Sequence, residues 1–72
     1  MVRARQTRVT RPAAELSSLT TALAELSRRI TALAERCAGT EADALSQGLF
    51  EVERTLGEAQ RRLDRLNRSL QA

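Results

Sequence analysis

The chain has 72 residues, 42% of them apolar and 1% aromatic, and its twelve basic residues, all arginine, outweigh nine acids for a net charge of +3. It contains no histidine, tryptophan or tyrosine and a single cysteine, which excludes an ordinary zinc set, a Ser-His or Cys-His nucleophile pair and an imidazole proton shuttle. An enzyme is therefore not expected, and neither is a metal, a cofactor or a small-molecule substrate.

Residues 1–10 carry Arg3, Arg5 and Arg8 and no acid, and the sequence reads as a flexible basic arm continued by Arg11. No apolar core of a leader follows it, and no apolar run approaches the ~18 residues of a membrane span. Lone Cys37 cannot close a disulfide within the chain, so a reducing, cytoplasmic setting is expected. Arginine in place of lysine, with abundant Ala and Leu, fits a bacterial genome of high GC content.

The remainder, 11–72, reads as one helical unit. Pro12 suits a first helical turn, where its missing N–H has no intrahelical partner, so the first helix is expected at about 12–38. Leu16, Leu19, Leu23, Leu26, Ile30, Leu33 and Cys37 follow at alternating steps of three and four, the spacing of a coiled-coil seam. A turn is expected at 38–40: Gly39 suits the left-handed position that ends a helix, while Thr40, with Glu41 and Asp43 behind it, offers an N-cap and acids in a first turn.

The second helix is expected at about 41–70. Its stripe runs Ala42, Leu45, Leu49, Val52, Leu56, Ala59, Leu63, Leu66 and Leu70, again in threes and fours. Between Cys37 and Ala42 the step is five, which on one continuous helix would rotate the second stripe by about 140° against the first. No single groove could follow both, so the fold class predicted is all-α: a long antiparallel two-helix hairpin, coiled-coil-like, with helices roughly 40 and 45 Å long. A hairpin buries its stripe on one side only. Dimerisation into a four-helix bundle would cover the rest, as would docking of helices from another protein.

Phe50 falls about 140° from Leu45 on a helical wheel, beyond the stripe. It is expected to be exposed in a lone hairpin and is the candidate partner contact. Gly48 beside the second stripe would let helix axes approach closely. Charge separates along the chain, with +4 over residues 1–12, −4 over 13–53 and +3 over 54–72. Spacing predicts surface pairs of Glu58 with Arg61 and Arg62, and of Asp64 with Arg68. Folding back brings Arg3, Arg5, Arg8 and Arg11 to the same pole as Arg61, Arg62, Arg65 and Arg68, a candidate anion contact.

Two functional readings follow. The first is a non-enzymatic protein–protein interaction module, an adaptor, scaffold or small regulatory subunit, that packs helices of itself or of a protein partner onto residues Leu16 through Leu70 of the two stripes. The second is a small Arg-rich nucleic-acid-associated protein that grips the phosphate backbone. It ranks below the first because stacking aromatics and known nucleic-acid motifs are missing. In outline a dimer of such hairpins resembles plasmid RNA-binding hairpin dimers of the Rop type, a likeness of architecture that assigns no family. Membrane binding is not expected from helices of mixed charge without aromatic anchors.

Overall fold

A computed structural model describes the backbone of residues 2–71 and side chains from Arg11 to Leu70. Two helices account for nearly all of it: α1 is Val2–Cys37 and α2 is Asp43–Gln71. They fold back on each other into an antiparallel hairpin of 61 × 14 × 11 Å. Among the described residues there is no strand. The corner between α1 and α2 rules out the continuous rod.

The corner forms for the reasons its residues suggest. Gly39 takes a φ of 75°, the left-handed conformation that costs other residues roughly 1–2 kcal/mol. Thr40 then ties the two helix ends together. Its hydroxyl accepts from the Ala42 N–H at 3.0 Å and donates to the Cys37 carbonyl, which also accepts from the Thr40 backbone N–H at 3.2 Å. The Asp43 carboxylate accepts from the Gly39 N–H at 2.8 Å and lies in the first turn of α2, where the helix dipole favours an acid. Regular helix resumes at Asp43, two residues later than expected, because Glu41 and Ala42 are consumed by this turn.

The start of α1 differs more. The segment expected as an arm is helical in backbone from Val2, and Pro12 lies inside the helix rather than in its first turn. Proline there cannot donate to the carbonyl four residues back, and the first turn holds no acid. Helix-favouring Arg, Ala and Gln over residues 3–6 run the other way. As a result the helices do not match in length: 36 residues give α1 about 54 Å and 29 give α2 about 44 Å. Cross-helix hydrogen bonds set residue 34 beside 46, 31 beside 53, and 20 beside 60 and 67. By that pairing α2 ends near residue 11, and the first turns of α1 project beyond it.

The contact between the helices is turned to one flank of the leucine stripes. Only Ala34 and Ser46 are buried among the described residues, and the Ser46 hydroxyl donates to the Ala34 carbonyl at 2.7 Å. Away from the corner the contact is carried by half-buried Leu16, Thr20, Leu23, Ser27 and Ile30 on α1, and by Leu49, Glu53, Leu56, Gln60, Leu63 and Asn67 on α2. Every seventh residue of α2 there is polar: Ser46, Glu53, Gln60, Asn67. Three more cross-helix bonds use them. The Thr31 hydroxyl donates to Glu53 Oε2 at 2.8 Å, Gln60 Nε2 to the Thr20 carbonyl at 3.2 Å, and Asn67 Nδ2 to Thr20 Oγ1 at 2.8 Å. Small residues opposite, Ala34 above all, admit this close approach.

Candidate functional site

Because α1 and α2 meet on their polar flank, the bulk of both stripes is left on one outer face. Seven large aliphatic side chains lie open there: Leu19, Leu26 and Leu33 from α1, and Leu45, Val52, Leu66 and Leu70 from α2, with exposures from 37% to 61%. Wheel positions put all seven on the same side of the hairpin, in two rows running its length. Of the residues expected to pack helices, Leu16, Leu23, Ile30, Leu49, Leu56 and Leu63 are half-buried between α1 and α2, and these seven are not. An exposed leucine alone is ordinary, but these seven form one continuous apolar face.

On α1, Leu26, Arg29, Ile30, Ala32, Leu33 and Arg36 line an open groove of about 510 Å³ to which α2 contributes no residue.

The opposite side of the hairpin is polar. An open groove of about 720 Å³ is lined there by Ala24, Ser27, Thr31, Glu53, Gly57 and Gln60 among others. Two buried polar atoms at this seam, Ser27 Oγ and Gln60 Oε1, have no hydrogen-bond partner. Among the described residues no three His, Cys, Asp or Glu gather as a metal would require. Nor is any helix long and apolar enough to cross a membrane.

Phe50 corrects the expectation made for it. It is half-buried rather than exposed, since the interhelical contact is rotated toward the Ser46 and Glu53 side of α2, next to which Phe50 lies. Gly48 has nothing within 4 Å of where a Cβ would stand, so α1 does not approach it closely. Cys37 is half-buried and unbridged at the corner.

Arg11, Arg61, Arg62, Arg65 and Arg68 are all exposed, Arg11, Arg65 and Arg68 toward the end of α2 and Arg61 and Arg62 near mid-length beside Thr20, while Arg3, Arg5 and Arg8 have side chains outside the described ones. The pairs expected of Glu58 with Arg61 and Arg62, and of Asp64 with Arg68, are not formed. Among the described residues the one ion pair joins Arg28 to Glu25. Exposed pairs of long side chains gain too little over their lost rotamer freedom to be held.

The face and the pole can be compared with known proteins. No protein-family model, curated protein or solved structure matches the chain.

Proposed function

We propose that the hairpin is a non-enzymatic protein–protein interaction module that docks further helices on its leucine face. One observation carries this reading: all seven exposed large aliphatics of the described residues share a single face. Fully burying a Leu or Val is worth about 1.5–3 kcal/mol, so covering seven half-exposed ones offers on the order of 5–10 kcal/mol on this side of an interface. That is comparable with the roughly 4–15 kcal/mol lost to translation and rotation on association, before the partner's own apolar surface is counted.

The test places a reporter thiol on the face, Leu26→Cys, and another off it, Arg54→Cys, each with Cys37→Ser. Both are labelled in excess peptide of residues 43–71, an amphipathic helix able to fill the face. The thiol at 26 should react about tenfold more slowly than that at 54, the ratio expected from some 1.4 kcal/mol of protection. Equal rates refute helix docking.

A second reading is supported by five exposed arginines, Arg11, Arg61, Arg62, Arg65 and Arg68, without carboxylate partners among the described residues. It makes the hairpin a backbone-driven nucleic-acid binder. Counterion release then requires affinity for an RNA duplex to fall steeply between 50 and 200 mM salt, by about a thousandfold for six phosphate contacts. A flat salt dependence removes this reading.

A further inference from the structure

Resting on the helix-docking reading, we infer that the leucine face takes an amphipathic helix of another protein whose apolar stripe is bordered by carboxylates. The inference comes from the borders of the face. On each helix the leucine stripe has a row of residues on either side, repeating every seven positions. The rows on the inner side are Thr20, Ser27 and Ala34 of α1 and Ser46, Glu53, Gln60 and Asn67 of α2, all buried or half-buried where the two helices meet. The rows on the outer side are Glu15, Ala22, Arg29 and Arg36 of α1 and Gly48, Thr55, Arg62 and Ser69 of α2, and all eight are exposed. These outer rows hold the positions at which a coiled coil carries the charges that choose its partner.

The two borders hold three arginines and only one of the chain's nine acids. That acid, Glu15, precedes Arg29 by 14 residues, about 21 Å along α1, which is well beyond the ~8–10 Å over which exposed charges act in physiological salt. Other acids are turned elsewhere. Glu53 accepts from Thr31 inside the contact, Glu25 is paired with Arg28, and Glu35, Glu51 and Glu58 stand away from the leucine face. Among the described residues no carboxylate forms an ion pair with Arg29, Arg36 or Arg62.

The excess of positive charge is sharpest at the groove on α1. Leu26, Ile30 and Leu33 line it together with Arg29 and Arg36, and no acid takes part. Arg29 and Arg36 are one heptad apart, the interval at which a facing helix repeats its own flank. A helix seated on the leucines with acids in one flanking row therefore meets both arginines, and acids in its other flanking row meet Arg62. A second copy of this chain would bring to these arginines only the same borders, with a single acid among them. Charge complementarity thus points to a different chain.

Two synthetic helical peptides, each four heptads long, test the proposal on the full chain. They share one leucine stripe and differ only in the rows beside it, glutamate in one and lysine in the other. Titration calorimetry at about 50 mM salt should give the glutamate peptide a dissociation constant at least about tenfold lower, because three exposed contacts change from attraction to repulsion. The ratio should shrink several-fold at about 500 mM. Arg29→Glu combined with Arg36→Glu should abolish or reverse the preference while leaving circular dichroism at the parent's helical content. The glutamate peptide should also protect the reporter thiol at position 26 and not that at 54. A preference below about tenfold, or one that survives the double substitution, overturns the proposal. If both peptides protect position 26 equally, helix docking stands and the acidic partner falls. If neither does, the acidic partner falls and sedimentation equilibrium decides the rest: a monomer loses helix docking as well, whereas a dimer keeps it and gives the face to a second copy.

Discussion

Replacing Gln60 by leucine should stabilise the hairpin, although it deletes a cross-helix hydrogen bond. Gln60 Nε2 donates to the Thr20 carbonyl at 3.2 Å, but its Oε1 is buried with no partner. Losing the bond costs about 0.5–1.5 kcal/mol, whereas relieving an orphaned buried acceptor returns about 1–3 kcal/mol. Leucine is similar in volume and helix propensity, and half-burying it adds about 1 kcal/mol more. The balance is roughly 1–2 kcal/mol in favour of Gln60→Leu, or on the order of 4–15 °C in melting temperature for a domain of this size. Circular dichroism at 222 nm, with both proteins at one concentration because assembly shifts the midpoint, reads the effect. Gln60→Glu is the control: it turns the donor into a second acceptor against the Thr20 carbonyl and should lower the midpoint. If Gln60→Leu melts lower than the parent, Oε1 has a partner in solution and the polar seam is worth more than its direct bonds.

Leu26→Gln should leave helical content intact yet weaken docking of the helical peptide of residues 43–71 by about 2 kcal/mol, some thirtyfold in dissociation constant, from one aliphatic burial lost and one amide left unbonded; titration calorimetry measures it. The glycines should split in sign. Gly39→Ala, at φ 75° with nothing within 4 Å, costs about 1 kcal/mol from backbone strain alone, while Gly57→Ala, whose Cβ would meet only the flexible end of Arg61 at 3.6 Å, gains about 0.5–1 kcal/mol in urea unfolding. Thr40→Ala should cost about 0.5–2 kcal/mol by removing the acceptor of the Ala42 N–H at the start of α2, seen in the same unfolding curves. Phe50→Ala should destabilise the hairpin itself by roughly 1.5–2.5 kcal/mol, half the usual cost of truncating a buried phenylalanine, and a melting temperature unchanged from the parent would return Phe50 to the surface.

Both helices, their antiparallel return and the corner were legible because each rests on local chemistry: three-four spacing, a glycine able to turn left-handed, and a hydroxyl beside it. Which side of the stripes the helices share was not. A leucine stripe of this kind is wider than one helix contact, and its spacing is the same seen from either flank. A finer signal lay in the sequence all the same. Ser46, Glu53, Gln60 and Asn67 recur at intervals of seven on one flank of α2, and Thr20, Ser27 and Ala34 do so on α1. A polar heptad beside an apolar one indicates two different neighbours, a hydrogen-bonding helix on one side and an apolar one on the other. The start of α1 was misjudged because Pro12 and the arginines both read as a boundary. Phe50 was misplaced because its angle was taken from the leucines rather than from the contact.

The two most enclosed side chains, Ala34 and Ser46, stand twelve positions apart across the corner. Closing so short a loop costs little entropy, and each later cross-helix pair adds to a segment already aligned. The hairpin therefore zips outward from its bend, and the arginine-bearing end is the last part to form and the first to open.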